Sequence, residues 1–233
     1  MIWIVMILVV TWGVVYPLTD CFIRLFNPIV LKRGNLSEKA LHFSFDDGPD
    51  PKYTLTLLEI LKSFQVPASF FLVGEKAETH PEIVAKIAEY GHEIGWHTYF
   101  HQHAYRMFFR KSKASIVGGI GAPPSLAGLP LTWFRPPWGA LNLFQYLEVR
   151  KLGLRPVLWT ANARDWNLKS TPSLIVQRVT RRVRPGAIVL LHDSGGGPGA
   201  PANMLRALPE IITRLKAEGY QFVSLHQLTG GQK

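Results

Sequence analysis

From Ala40 onward the chain alternates short β-prone runs with amphipathic stretches, and five of the seven runs are followed by a carboxylate, imidazole or guanidinium. The candidate strands are Ala40–Phe45, Ala68–Val73, His92–Trp96, Thr132–Phe134, Pro156–Thr160, Ala187–Leu191 and Phe222–Leu225. Between them the spacing predicts helices over Tyr53–Phe64, Pro81–Tyr90, Gln102–Lys113, Leu143–Leu152, Pro172–Val183 and Ala202–Glu218. Pro81 and Pro172 stand where a first helical turn tolerates proline. Repeated strand–helix units of this size give parallel β-structure under an outer layer of helices. Seven such strands suit an α/β fold of the distorted (β/α) barrel kind better than a doubly wound sheet, although periodicity alone does not separate the two. The Gly/Pro-rich stretch Gly118–Gly128 reads as a loop.

In a parallel barrel or sheet the C-terminal strand ends share one face, where ligands and catalytic groups collect. Asp46 and Asp47 follow the first run in FSFDDGPD, His97 the third, and Arg135 the fourth in FRPPWG. Asp165 and Trp166 lie just after the fifth, while His192 and Asp193 close the sixth in VLLHD. The shared register, more than any one residue, marks a site. His97 and His101 are four apart in WHTYFH, so both imidazoles point one way if that segment turns helical. With one carboxylate they make a two-histidine, one-carboxylate metal set that leaves positions open for water and substrate. Read in isolation, the pair also fits two exposed or capping histidines, and DDGP fits an ordinary turn.

Adjacent ionised Asp46 and Asp47 repel in a dry site, so each needs a cation. One carboxylate then suits a metal and the other a general base on water. His192 suits the acid partner, with Asp165 or its sequence neighbour Asp193 as the tuning carboxylate. Arg135 is placed to fix and polarise a carboxylate, and the two prolines after it stiffen the backbone that carries Trp138. Trp138 and Trp166 offer flat faces to a sugar or belong to the core. His92, ahead of an apolar strand, reads as structural, and His103 as a residue lining the cleft.

Met1 to Leu18 carries no ionisable group except the Tyr16 phenol. As a helix at about 1.5 Å per residue it reaches roughly 27 Å, enough to cross a hydrocarbon core. Residues 1–19 are therefore expected to be a transmembrane helix or signal anchor, 20–39 an apolar and basic linker, 40–228 the catalytic domain and 229–233 a tail. That makes the membrane a partner through the N-terminus and places the protein as a single-pass protein of the cell membrane. Arg24, Lys32 and Arg33 after the apolar run favour a cytoplasmic body, whereas the chemistry favours an extracytoplasmic one. The alternative is a buried first helix of a soluble fold. The formal charge of +10 favours anionic neighbours, but no base-reading motif accompanies it and no nucleic-acid partner is expected. The single cysteine, Cys21, excludes an intramolecular disulfide and any multi-thiolate zinc site.

FDDGP, GHEIGWHTYFH, FRPPWG, NARDW and VLLHD, in that order over roughly Ala40–Leu225, resemble the five motifs of the polysaccharide deacetylase family, which shares the NodB homology domain. The resemblance implies a distorted (β/α) barrel with fewer than eight strands. It implies Asp46 as catalytic base and Asp47, His97 and His101 as metal ligands. Arg135 orients the base, Trp138 and Trp166 wall the cleft, and Leu191 forms part of an acetyl pocket. His192 is the acid and Asp165 tunes it. Zinc is the usual ion of such proteins, with cobalt or nickel able to serve, and the substrates are acetylated polysaccharides or oligosaccharides such as peptidoglycan and chitin-like glycans. O-acetyl ester hydrolysis at the same site and a catalytically silent carbohydrate-binding or cell-wall assembly role are the alternatives. One position departs from the pattern: Asn162 stands at the first acidic place of the fourth motif, where it can hydrogen-bond but brings no charge.

Overall fold

Leu41, Phe43 and Phe45 in β1 (Ala40–Asp46) alternate with the polar His42, Ser44 and Asp46, and the alternation sorts them to the two faces of a sheet. The computed structural model describes residues 17–34, 39–107, 109–117 and 131–230, so the expected loop at 118–128 lies outside the described residues. β2 (Ala68–Leu72), β3 (Glu93–Trp96), β4 (Trp133–Phe134) and β5 (Arg155–Pro156) extend the sheet on one side of β1. β7 (Ala187–His192) and β6 (Ala161–Asn162) extend it on the other, giving the order β5-β4-β3-β2-β1-β7-β6. A two-residue strand, β8 (Gln221–Phe222), pairs with the start of β1. Every pairing is parallel, and the curved ribbon is a distorted half-barrel. The Pro156–Thr160 run, expected as one strand, divides instead. Arg155 and Pro156 pair with β4, while the Thr160 amide already bonds to Ile188 of β7, so this segment links the ribbon's two edges.

Leu41, Phe43 and Phe45 of β1 and Val189 and Leu191 of β7 face an outer core shared with the helices. That core takes Leu57, Leu58 and Leu61 from α2 (Thr54–Phe64) and Ile83, Val84 and Ile87 from α4 (Pro81–Glu89), with α3 (Gly74–Thr79) between them. It also takes Ile175, Val176 and Val179 from α7 (Pro172–Arg182) and Met204, Leu208, Ile211 and Leu215 from α8 (Ala200–Ala217). Phe71, Trp133, Val157 and Ile188 form the smaller inner cluster. The Thr171 side chain caps α7 and the Asn142 side chain caps α6 (Leu143–Lys151), each accepting from a backbone N–H of the first turn. The expected helix at Gln102–Lys113 is instead a 3-10 turn (Ala104–Arg106) followed by α5 (Phe109–Val117), and a short α9 (Leu225–Leu228) follows β8.

The membrane expectation is overturned. Among the described residues no helix is long and apolar enough to cross a membrane. Residues 1–16 lie outside the described residues; residues 17–26 are helical (α1). This helix is tied to the body through Asp20, which is 1% exposed. Asp20 pairs with Arg24 at 3.1 Å and accepts from the Tyr105 hydroxyl at 2.7 Å and the Leu141 amide at 2.8 Å. Downstream, Val30 and Leu31 are buried and Leu31 bridges to Val157, so this stretch packs as part of the domain. The transmembrane assignment, the membrane as partner and the single-pass localisation therefore have no support in the structure.

Candidate active site

The C-terminal ends of β1, β3, β4 and β7 converge on one cavity of about 330 Å³. It is lined by Asp46, Asp47, His97, His101, Trp138 and His192, together with Trp159, Asn162, Trp166, Leu190 and Gly196. Larger voids exist elsewhere, including one of about 720 Å³ near Trp133 and Arg155 at the opposite strand ends, but that void contains none of these groups.

Asp47 follows β1 with φ 73°, in the left-handed region that Asp tolerates better than most residues. Its Oδ1 lies 2.9 Å from His101 Nε2 and 3.3 Å from His97 Nε2. The ligating atoms of Asp47, His97 and His101 all fall within 4.8 Å of one another. A helical turn is not what brings the two histidines together: residues 97–101 form an irregular loop, with Thr98 at φ 65° and His101 at φ 48°. The Thr98 hydroxyl accepts from the His101 amide and holds that curl. His97 Nδ1 donates to the Arg135 carbonyl at 2.7 Å, so in the neutral ring Nε2 is a lone pair aimed at Asp47. Two Lewis bases facing each other need either a proton or a metal between them, and this set fits a divalent cation. Burial alone disfavours the charged form of Asp47, but the neighbouring His101 and His97 rings hold its carboxyl well below the usual range. It stays anionic, as a ligand must.

Asp46 sits beside this set, 3% exposed, with Oδ2 3.8 Å from His97 Nε2. Its Oδ1 accepts from Arg135 Nη1 at 2.7 Å. Arg135 is wholly buried; it also donates to the Ser44 hydroxyl at 2.8 Å and the Val157 carbonyl at 3.2 Å, and lies over the Phe71 ring at 4.0 Å. Burial lowers its pKa and the Asp46 charge opposes that. Arg135 thus draws its neutralisation from Asp46. Asn162 is engaged in its own loop, accepting from the Arg164 amide at 2.7 Å, so the missing charge in the fourth motif leaves Arg135 paired.

Across the cavity, His192 Nδ1 meets Asp165 Oδ1 at 2.9 Å, and the His192 amide donates to Asp165 Oδ2 at 2.7 Å. Burial pulls the imidazole's pKa down, but Asp165 and the more distant Asp47 and Asp46 outweigh it and push it up to about 9. Of the two carboxylates considered for tuning His192, Asp165 is the one in place. Asp193 points to the other side of the strand end, where the Thr54 hydroxyl donates to it at 2.5 Å and burial pushes its carboxyl up to about 7.

Trp138 is 58% and Trp166 43% exposed, both at the cavity mouth. Leu191, expected in the acetyl pocket, packs instead in the outer core; alternation along β7 gives the cavity Leu190. Trp159 is a lining residue the sequence reading passed over. So is the support behind Asp47: Lys76 Nζ donates to the Asp47 carbonyl and to the Ser194 hydroxyl, each at 2.8 Å. Gly195, at φ 71°, passes so near that a β-carbon there would stand 2.8 Å from Asp47 Oδ2. His92 is buried with neither ring nitrogen bonded to a described residue, and burial lowers its pKa to about 4, in keeping with a structural place.

Residues 33–157 match the family model described as Polysaccharide deacetylase. A peptidoglycan-N-acetylglucosamine deacetylase of Bacillus cereus is 35% identical over 194 residues, covering 82% of this chain and 89% of its own. A chitooligosaccharide deacetylase of Rhizobium leguminosarum bv. trifolii is 34% identical over 203 residues, covering 82% of this chain and 92% of its own. Among solved structures, a peptidoglycan N-acetylglucosamine deacetylase in complex with 4-naphthalen-1-yl-N-oxidanyl-benzamide superposes with a TM-score of 0.82 at 31% identity, covering 91% of this chain and 98% of that one.

Proposed function

Because this chain belongs to the polysaccharide deacetylase family, we propose that it hydrolyses the acetamide of N-acetylated amino-sugar units in a glycan of the peptidoglycan or chitin type. The observation that carries this reading is a single cavity in which the Asp47–His97–His101 set lies between an arginine-paired Asp46 and an aspartate-paired His192. Lewis acidity toward a water and toward the acetyl carbonyl is what a divalent cation held by those three residues supplies; zinc is the proposed ion, with cobalt or nickel as substitutes.

The chain's own residues do the rest. Asp46, oriented by Arg135, takes the proton as water adds to the carbonyl carbon. His192 starts protonated and gives its proton to the amine nitrogen as the C–N bond breaks, releasing acetate and a free amino sugar. Asp165 holds the imidazolium in place. Trp138 and Trp166 offer their faces to the sugar, and Leu190 supplies apolar surface for the acetyl methyl.

Paired assays of acetate release test this. Metal-loaded protein is expected to free acetate from an N-acetylglucosamine oligomer and from the glycan strand of peptidoglycan faster than from an O-acetylated oligosaccharide. Release from the O-acetylated substrate alone would make the protein an esterase. No release from any of them would leave a binding role, against which the complete base, acid and ligand sets speak.

A further inference from the structure

Beside the reaction cavity opens a second one of about 710 Å³, with His101 and Trp138 lining both. Its remaining walls include His103, Tyr105, Arg106 and Lys111. Trp138 stands on the divide. Its ring centroid is 4.6 Å from that of His101 and 5.2 Å from that of His103, and its left-handed backbone (φ 56°) accompanies a largely exposed ring. A polymer whose reacting sugar sits over His101 and Asp47 meets the second cavity on crossing Trp138.

That cavity is basic. Arg106 and Lys111 are exposed, neither forms an ion pair among the described residues, and no carboxylate lines the wall. The nearby acid, Asp20, is buried and already held by Arg24, the Tyr105 hydroxyl and the Leu141 amide. Two unmatched cations beside aromatic faces suit a ring that carries an oxyanion, with the aromatic surface taking the sugar's CH face and the cations its charge.

Resting on the deacetylase reading, we propose that this cavity is a subsite for an anionic sugar residue adjoining the one that loses its acetyl group. Arg106 and Lys111 pair with its carboxylate or phosphate and Trp138 carries its ring. The site selects acidic glycans over neutral ones, and the selection acts through binding rather than through the chemical step.

The test uses three oligosaccharides of equal length: neutral N-acetylglucosamine units, the same with carboxylate ethers on alternate sugars, and the same with phosphate monoesters there. The full chain, metal-loaded, is compared with R106Q/K111Q and with R110Q/K113Q, which removes two exposed charges of the same segment outside the cavity. Wild type is expected to prefer an acidic oligosaccharide by about 5- to 10-fold in kcat/KM, mostly in KM. R106Q/K111Q is expected to lose that preference while keeping its rate on the neutral one, and R110Q/K113Q to retain both. Which acidic substrate shows the effect identifies the anion. Calorimetric binding of the same three decides the subsite independently of turnover: equal affinities in wild type, or a preference that survives in R106Q/K111Q, overturns it. Loss of acetate release from all three counts against the reaction, not the subsite.

Discussion

His192 carries the most direct consequence at the scale of single residues. Its folded value of about 9 lies above the 6.5 of a free imidazole. The ion pair with Asp165 therefore stabilises the fold fully below about 6.5 and loses that effect as pH rises through about 9. As the acid, His192 must begin protonated, so turnover falls on the alkaline side. In metal-loaded protein the limb lies below 9, because a cation beside Asp47 repels the imidazolium. Asp165→Asn is expected to move the limb further down, toward 6.5, in a pH–rate profile; an unmoved limb would separate the pair from catalysis. His192→Ala is expected to lower kcat by roughly 10²–10⁴-fold in steady-state assays at fixed metal loading. Arg135→Met leaves the Asp46 carboxylate buried without its cation, at a cost of about 3–5 kcal/mol measurable by urea unfolding. That Asp46, Asp47, His97, His101, Arg135, Asp165 and His192 gather at one end of the sheet was legible because they stand at strand ends or in the loops just past them. Leu190 lines the cavity and Leu191 the outer core, a difference of one step of strand parity that the sequence does not phase. Lys76 and Thr54 were hidden because their partners lie 118 and 139 positions away, a separation no local pattern reports.

Among the elements, the long central strands were read closely, and errors collected where the chain turns. β1 and β7 differ from the sequence expectation by a single residue at one end. The fifth run was read as one strand because its composition is continuous, yet its hydrogen bonds go to β4 at one end and β7 at the other. The four-residue spacing of His97 and His101 would bring both rings to one side if that segment were helical. Its left-handed residues at Thr98 and His101 achieve the same convergence by another route. α3 spans six residues, too few for a period to show. The β7–α8 connection gives an element-scale prediction. Gly195→Ala introduces a β-carbon 2.8 Å from Asp47 Oδ2 at a left-handed backbone position. Zinc affinity is expected to fall about 10- to 100-fold in competition with a chelator, with a loss of about 1 kcal/mol in stability. Unchanged affinity would show that the loop does not constrain the ligand.

Over the whole molecule, hydropathy and fold gave different answers for the N-terminal region. Apolar content alone suggested a span, but the described helix of residues 17–26 is joined to the domain by a buried, ion-paired Asp20. Such a charge is expensive in a hydrocarbon core and is satisfied here by the domain. Because the ligands come from β1 and from the loop after β3, a bound cation links segments 50 to 54 positions apart and stabilises the folded state by mass action. At a free ion concentration about 100 times Kd the gain is about 2.7 kcal/mol. That corresponds to roughly 5–10 °C in Tm for a chain of this size, lost on chelation. The most direct test of the account is a titration of metal-stripped protein with zinc, following bound ion and acetate release together. The account predicts that activity rises from the baseline to a plateau at one ion per chain, and that Asp47→Ala and His97→Ala proteins neither retain the ion nor release acetate. Full turnover by wild-type protein stripped of every divalent ion would contradict it.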